Sequence, residues 1–352
     1  MLADFRIEGY RCFRDLKLEN LRRINLIAGK NSVGKSAVLE AVSIYEKRSL
    51  AGIREMLAAR GDYSVEMHYW TSELVAPMFY GSDPDTRFAE YALSSSQRLR
   101  VNLGAQVQRQ PGRWEIVGET ALNRGAYIGP ELPVLNFRID DDDDSLRFIV
   151  LDGSVPLPAN SKTLARGRKC IYVRTAPRNM DTLCRYLEKI AGTPLEDEVI
   201  RILRWVQPDI DRVRTRSVGQ TRVIVYDRRG GATSQPLKRL GDGAVKLMSF
   251  ALSIANCEDG VCLVDEIENG IHHELFDQLW EAIARFAEEL NVQVFATTHS
   301  KDCIEAFERS YRNPKFDAAF YRLERNGADI GAVRLDHESF FAVVEGTPYE
   351  VR

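Results

Sequence analysis

Apolar and polar positions alternate with two different periods along the chain, and each change of period marks a predicted element. The first thirty residues predict three short strands, in DFRIEGY, RCFRDLKLEN and the almost wholly apolar INLIAG. An amphipathic helix follows, because Val38, Leu39, Ala41, Val42 and Tyr45 recur at helical spacing. Farther on, RLRVNLGAQV, RWEIVGE and LRFIVLDG have the length and composition of short antiparallel strands.

The second half of the chain changes to a regular alternation of strands and helices. APRNMDTLCRYLEKIAG has helical period and ends at Gly192, and a second helix is predicted around Val199–Val206, stopping before Pro208. The elements predicted after Gly241 are a helix at 243–256, a strand at 261–265, a helix at 273–290, a strand at 292–297, a helix at 300–308 and strands near 318–335. This order predicts a partly parallel sheet covered by helices.

Composition adds few constraints to this picture. The 352 residues are 44% hydrophobic and 28% charged with a net charge of -3, values of an ordinary globular protein without an overall basic surface. No apolar stretch reaches the length of a membrane span and the N-terminus lacks a signal pattern, so we expect a cytoplasmic protein without a membrane partner. The six cysteines form no CxxC pair and are expected to be reduced thiols.

The segment GKNSVGKS fits the pattern of a phosphate-binding loop, G-x-x-x-x-G-K-[ST], between an apolar strand and an amphipathic helix. Its residues are Gly29, Lys30, Asn31, Ser32, Val33, Gly34, Lys35 and Ser36. Glycines let successive N–H groups face the phosphates, and the following helix adds its positive end. Lys35 is expected to reach the β- and γ-phosphates and Ser36 to offer its hydroxyl to Mg²⁺. ATP and Mg²⁺ are therefore the predicted cofactors.

Two adjacent carboxylates follow the apolar run of VCLVDEIENGIHH. A phosphate-loop site needs a carboxylate at the end of a neighbouring strand to hold the metal, and Asp265 is placed for that role. Glu266, one residue later, is placed to orient and polarise an attacking water. The alternative is a polar strand end with no chemistry.

A second glycine-rich helix start lies about twenty residues before these acids, in LGDGAVKLMSFALSIAN. Gly241 and Gly243 flank Asp242 there, and a glycine-rich helix N-terminus binds anions. One chain rarely brings two such helix ends to one phosphate. We therefore predict that two chains enclose two ATP molecules between them.

These motifs resemble the ABC-type ATPase heads of the RecF, SMC and OLD-like group, and among them the small prokaryotic AAA family ATPases found beside phage-defence or repair effectors. The matching segments are FRIEGYRCFRDLKLENLRRINLIAGKNSVGKSAVLEA, LGDGAVKLMSFALSIA, CLVDEIENGIHH and VQVFATTHS, about a third of the chain. The resemblance implies Walker A at Gly29–Ser36 with Lys35 as a catalytic residue, and a signature-type motif at Leu240–Gly243. It further implies Walker B at Asp265, a catalytic base at Glu266 and a switch histidine at His299.

The predicted fold class is therefore α/β: a P-loop NTPase of the ABC-type ATPase head kind, with a mixed sheet, an antiparallel β-subdomain and a helical insertion. Residues 1–60 and 215–352 are expected to form the split nucleotide-binding core, and 61–214 an inserted lobe. LGDG lacks the serine of the transporter signature, no glutamine loop can be placed, and no long coiled-coil arm interrupts the chain. About fifty residues follow His299, too few for an OLD-type nuclease domain.

The two adjacent histidines admit two interpretations. ENGIHH resembles this group's loop after Walker B, which lies at the dimer interface, with His272 at the matching position. The alternative is a metal site from Glu266, Glu268, His272 and His273, although neither HExxH nor HxxEH spacing is present.

Basic residues between 162 and 229 leave open whether the ATPase acts on DNA or on a protein partner. They include Lys162, Arg166, Arg168, Lys169, Arg174, Arg178, Arg185, Arg201, Arg204, Arg212, Arg214, Arg216, Arg222, Arg228 and Arg229. On one face they could bind a phosphate backbone. The predicted function is a homodimeric ATPase, with a higher oligomer left open, acting in a DNA-directed defence or repair complex with a separate effector. The alternative is an ATP-gated scaffold that holds or releases an effector without binding DNA.

Overall fold

The computed structural model describes residues 1–48, 56, 76–81, 88–92, 98–110, 113–117, 132–139, 146–149, 167–175, 179–336 and 339–340. Its strands are β1 (Phe5–Tyr10), β2 (Phe13–Leu18), β3 (Ile24–Gly29), β4 (Phe88–Ala92), β5 (Arg98–Gln110), β6 (Arg113–Val117), β7 (Leu132–Ile139), β8 (Leu146–Ile149), β9 (Cys170–Val173), β10 (Ile210–Val218), β11 (Thr221–Arg228), β12 (Gln235–Pro236), β13 (Val261–Val264), β14 (Gln293–Thr298), β15 (Ala318–Asn326) and β16 (Asp329–Leu335). Its α-helices are α1 (Lys35–Lys47), α2 (Met180–Ile190), α3 (Pro194–Leu203), α4 (Asp242–Ala255), α5 (Phe276–Glu289) and α6 (Lys301–Tyr311).

A six-stranded sheet in the order β16-β15-β3-β14-β13-β9 forms the centre of the fold. The pairs from β15 to β9 are all parallel, and only β16 is antiparallel to its neighbour. Because β3, β13 and β14 run in the same direction, the segments that follow them leave the sheet at one edge. This edge is where open parallel sheets hold their ligands.

Both faces of the central sheet are buried, which explains why its strands have almost continuous apolar sequences. Along β14, Val294 and Ala296 face one hydrophobic core while Phe295 faces the other. The first core packs α2 to α6 on the sheet, and the second packs α1 together with β1 and β2. The phosphate-loop helix α1 is consequently held between two sheets.

The second sheet is antiparallel, in the order β2-β1-β4-β5-β7-β8 with β6 on β5, and β10, β11 and β12 form a third. The short strands predicted in RLRVNLGAQV, RWEIVGE and LRFIVLDG fall in β5, β6 and β8. The acidic run 140–144, predicted to be a solvated loop tip, lies outside the described residues. So do Lys162, Arg166 and Arg178 of the basic stretch.

Helix boundaries follow local capping more closely than apolar period. The helix predicted at 199–206 is α3, which begins at Pro194 because proline suits the first helical turn and Thr193 precedes it in an extended conformation. The helix predicted at 273–290 divides into a 3₁₀ turn at His273–Leu275 and α5. Ser300 caps α6 by accepting a hydrogen bond from the Cys303 N–H.

The division into a core at 1–60 and 215–352 and a lobe at 61–214 stays a prediction. Within the range 61–214, β9 pairs with β13 in the central sheet, and α2 and α3 pack on it. All six cysteines are described and none forms a disulfide. In the part of the chain that the structure describes, no helix is long and apolar enough to cross a membrane.

Candidate nucleotide site

Three chain segments meet at the carboxyl edge of the central sheet. The loop from Gly29 to Gly34 follows β3 and leads into α1, Asp265 and Glu266 follow β13, and His299 follows β14. Parallel register brings β3, β14 and β13 side by side. The structure thus assembles the residues predicted from Walker A, Walker B and the switch histidine in one place.

The loop needs glycine at both ends for steric reasons. Gly29 has φ 152° and Gly34 has φ 92°, and a Cβ on Gly34 would lie 2.6 Å from both the Cys12 Sγ and the Phe13 ring. A Cβ on Gly29 would lie 2.9 Å from the Leu323 carbonyl oxygen. The loop is therefore packed tightly against β15 on one side and the start of β2 on the other.

Lys35 is buried at the first position of α1, and its ammonium lies inside the loop. The Nζ donates to the carbonyl oxygens of Gly29 at 2.7 Å and Lys30 at 2.9 Å. Burial lowers the pKa of Lys35, and the negative charges of Glu268, Glu266 and Asp265 oppose that change. This is the position from which a lysine reaches the phosphates of a bound nucleotide.

Ser36 and Asp265 offer oxygen ligands suited to Mg²⁺. The Ser36 Oγ lies 2.9 Å from Asp265 Oδ2 and 3.1 Å from Oδ1. Thr297 on β14 donates from its Oγ1 to Asp265 Oδ1 at 2.6 Å, which fixes the carboxylate. A hydroxyl and a carboxylate are the hard oxygen donors that Mg²⁺ prefers, so these residues fit the predicted metal.

Glu266 is held in a conformation that non-glycine residues rarely adopt. Its φ is 46°, and its N–H donates to the Thr297 Oγ1 at 2.9 Å. The next N–H, of Ile267, donates to the Thr297 carbonyl oxygen at 3.0 Å. Strained backbone of this kind persists where surrounding bonds fix it, and it is concentrated at functional sites. The Glu266 carboxylate accepts a hydrogen bond from the Thr175 hydroxyl at 3.3 Å.

His299 lies at the mouth of the site with Glu268 behind it. Glu268 Oε1 is 3.0 Å from the His299 Nδ1 and accepts the His299 backbone N–H at 2.9 Å. The His299 side chain is 46% exposed, whereas that of Glu268 is 9% exposed. The pairing fixes the ring while leaving its other nitrogen to the cleft.

These groups line a cleft of about 630 Å³. Its lining residues are Arg11, Cys12, Asn31, Ser32, Gly34, Lys35, Ser36, Ala37, Pro77, Asp265, Glu266 and His299. Cationic, hydroxyl and carboxylate groups converge in it, and the N-terminus of α1 opens on it. Such a cleft is suited to a phosphorylated ligand with a bound divalent cation.

The signature-type residues lie elsewhere. Gly241, Asp242 and Gly243 are absent from the residues that line the cleft. Gly241 and Asp242 are exposed at the start of α4, and Gly243 packs so closely on the loop after Walker B that a Cβ there would lie 2.5 Å from the Gly270 carbonyl oxygen. Within one chain, the two predicted halves of the nucleotide site are therefore separate.

Sequence reasoning missed Thr175 and Thr297, which contact Glu266 and Asp265, and Lys246, which binds the segment after β9; it named Glu268 only as part of the alternative metal set. None belongs to a motif with fixed spacing, although Thr297 could have been suspected because it lies near the end of β14, two positions before His299. The alternative metal set is not assembled as predicted. Ligand atoms of His272, His273 and Glu274 lie within 4.8 Å of one another on the surface, and Glu266 and Glu268 are not part of that group.

This chain is similar to several known proteins. A family model described as an AAA ATPase domain matches residues 188–304. An ATP/GTP phosphatase of Helicobacter pylori is 23% identical over 340 residues, which cover 90% of each chain. An uncharacterised protein of Methanocaldococcus jannaschii is 39% identical over 142 residues, which cover 36% of this chain and 63% of that protein.

Two solved structures share the fold. An Smc head bound to the C-winged helix domain of ScpA is 13% identical with a TM-score of 0.53, covering 96% of this chain and 98% of that one. An Smc head domain with an extended coiled coil, bound to the C-terminal domain of ScpA derived from Pyrococcus furiosus, is 11% identical with a TM-score of 0.52, covering 97% and 98%. The predicted α/β fold, which is similar to that of Smc heads, and the assignment as an ATPase are thereby confirmed.

Proposed function

We propose that this chain is a Mg-ATP-hydrolysing ATPase that works as a homodimer, each cleft being completed by the signature-type residues of the other copy. The proposal rests on the separation, within one chain, between the nucleotide cleft and the start of α4. Lys35, Ser36, Asp265 and Glu266 share one cleft, while the glycine-rich start of α4 is exposed away from it. The first N–H groups of a helix have no partner within that helix, so an exposed helix start is suited to a phosphate that its own chain does not hold.

The proposed roles follow from these positions. The loop Gly29–Ser36 holds the phosphates and Lys35 neutralises them, while Ser36 and Asp265 would hold Mg²⁺, which would neutralise negative charge developing on the phosphates. Glu266 orients and polarises the attacking water. His299 contacts the γ-phosphate, and Gly241, Asp242 and Gly243 contact it from the other copy. Hydrolysis changes the dimer from a closed to an open conformation, and a separate cytoplasmic effector would bind differently to the two conformations.

The pairing of the basic residues favours a protein partner over DNA. Arginines on α2, α3, β10 and β11 make ion pairs with nearby acids: Arg185 with Asp181, Arg201 with Glu198, Arg214 with Asp227, Arg222 with Glu188, and Arg228 with Asp209. Arg168 pairs likewise with Glu46. Each pair reduces the local positive potential that a phosphate backbone would need. For the action that ATP hydrolysis controls, the ATP-gated scaffold is therefore our first proposal, and a DNA-directed role in defence or repair is the second.

A binding measurement separates the two. The Glu266→Gln protein would be mixed with labelled duplex DNA, with and without ATP, at two salt concentrations. The scaffold proposal expects no ATP-dependent binding. Binding that needs ATP and weakens steeply with salt would instead support the DNA-directed role, because released counterions give that dependence.

A further inference from the structure

Lys246 connects the signature-type helix to the catalytic edge of the same chain. It lies on α4, about one turn after Gly241–Gly243, and its Nζ donates to the carbonyl oxygen of Arg174 at 2.9 Å. Arg174 and Thr175 directly follow β9, the edge strand of the central sheet. The lysine therefore fixes the segment at the end of β9 rather than reaching the cleft, whose lining does not include it.

That segment lies beside Walker B. The Asp265 N–H donates to the Val173 carbonyl oxygen at 2.8 Å, so the end of β9 runs alongside the end of β13. Two residues after Val173, the Thr175 hydroxyl donates to the Glu266 Oε2 at 3.3 Å. An unbroken chain of contacts thus leads from Lys246 through the Arg174 carbonyl and Thr175 to the Glu266 carboxylate.

The charges support the same connection. Lys246 is half-buried, and burial lowers its pKa, while the negative charges of Asp265, Glu266 and Glu268 act in the opposite direction. A partly desolvated ammonium is retained where carboxylates compensate it. The same three carboxylates thus oppose the lowering of the pKa of Lys246 on α4 and of Lys35 at the phosphate loop.

We propose that Lys246 and Thr175 are positioning residues for Glu266, with Lys246 holding the segment after β9 so that the Thr175 hydroxyl sets the orientation of the Glu266 carboxylate. The proposal rests on the proposed function in one respect, that Glu266 activates the attacking water. It adds that the helix carrying Gly241–Gly243 is tied, within its own chain, to the group that performs hydrolysis.

The test compares Lys246→Met and Thr175→Val with the wild-type protein in steady-state ATP hydrolysis. We expect each variant to lower kcat about 10-fold and to change the KM for ATP by less than about 2-fold, the size of coupling found between residues of one hydrogen-bonded network. Thr175→Ser keeps the hydroxyl and should keep kcat near the wild-type value. Lys315→Met, at an exposed lysine far along the chain, is the matched control for loss of a charge.

A mutant cycle with Glu266→Gln separates positioning from a general structural effect. In single-turnover hydrolysis, Lys246→Met should slow the reaction of the Glu266 protein but change that of the Glu266→Gln protein by less than about 2-fold. Equal slowing in both backgrounds, an effect on KM alone, or wild-type kcat in Lys246→Met would overturn the proposal. If Lys246→Met does not fold in thermal unfolding, Thr175→Val against Thr175→Ser decides by the same criteria. Failure of Glu266→Gln itself to slow hydrolysis would instead contradict the proposed function.

Discussion

The carboxyl edge of the central sheet and the start of α4 differ in how closely other residues of the same chain surround them. At the carboxyl edge, the predicted metal-binding and catalytic residues have fixed neighbours: Ser36 contacts Asp265, Thr297 holds Asp265 and Glu266, and Glu268 holds His299. At the start of α4, Gly241 is exposed, and a Cβ on it would meet nothing within 4 Å. The first region is built to hold a ligand, and the second presents backbone to the outside.

This difference fits the proposal that one chain positions the catalytic groups at the carboxyl edge, while the start of α4 acts on the nucleotide of a second copy. Metal ligands and a water-activating carboxylate need rigid support, because small displacements of such groups slow a reaction greatly. In the proposed homodimer, a group that contacts the phosphate of the other copy must instead remain accessible until that copy arrives. The Gly243–Gly270 contact and the Lys246–Arg174 bond join the accessible region to the rigid one.

The largest expected effect comes from disabling the rigid region without disturbing the exposed one. Glu266→Gln should lower ATP turnover about 100-fold or more, because the amide cannot serve as a general base. Nucleotide binding should remain, so Mg-ATP should trap a dimer that light scattering detects. Glu281→Gln, on the exposed side of α5, is the control and should behave as wild type. A Glu266→Gln protein that stays monomeric with Mg-ATP would argue against the two-copy site.

A mixing experiment tests whether the two regions belong to one site formed by two chains. Lys35→Ala removes the phosphate-loop cation, and Gly241→Glu places a carboxylate where the phosphate of the other copy is expected. Each protein alone should be inactive. In a two-fold dimer, mixing equal amounts should restore about a quarter of wild-type turnover, because half the dimers are mixed and one of their two sites is intact. Mixed dimers isolated with two different tags and still inactive would contradict the arrangement.

How much of this was visible in the sequence depended on whether a residue's role is fixed by spacing. The phosphate loop and the Asp265–Glu266 pair were predictable because each follows a buried strand at a set distance, and parallel strands place such residues at one edge. The support around them was not. Thr175 lies beside Glu266 only because β9 pairs with β13, and Lys246 binds the segment after β9 only because α4 packs over that edge. These contacts join segments 91 and 72 residues apart, which no local period encodes. Helix starts at Pro194 and Phe276 likewise followed capping and a 3₁₀ turn rather than apolar spacing.

A smaller effect is expected from loosening the rigid region at its support. Thr297→Val keeps the shape of a buried residue but removes the hydroxyl that donates to Asp265 and accepts from Glu266. We expect turnover to fall about 10-fold, as for other coupled network residues, and the free energy of unfolding to fall by about 1–3 kcal/mol for the unsatisfied groups. Thr298→Val, at the next buried position of β14, removes a hydroxyl that accepts from the Ser300 N–H and hydrogen-bonds the Cys303 side chain, but contacts neither Asp265 nor Glu266 in the described bonds. It should cost similar stability and keep its turnover. Equal turnover in the two variants would show that Thr297 has no special part in holding the carboxylates.

The smallest expected effect on turnover comes from Gly241→Ala, which separates backbone strain from contact between copies. Gly241 has φ 90° and ψ 172°, a region open in practice only to glycine, so alanine should lower the free energy of unfolding by about 1–3 kcal/mol. Space around a Cβ on Gly241 is open within the chain, so the alanine should not change ATP binding when it is introduced into the Glu266→Gln protein. Turnover should fall only a few-fold, because only the chains that lose the native start of α4 become inactive. Thermal unfolding and ATP titration measure the two effects separately.

The alanine variant is also the control for Gly241→Glu, since both share the strain and only the glutamate adds charge. Equal inactivation by alanine and glutamate would mean that the conformation of the helix start, rather than an electrostatic contact with the second copy's phosphate, limits the reaction.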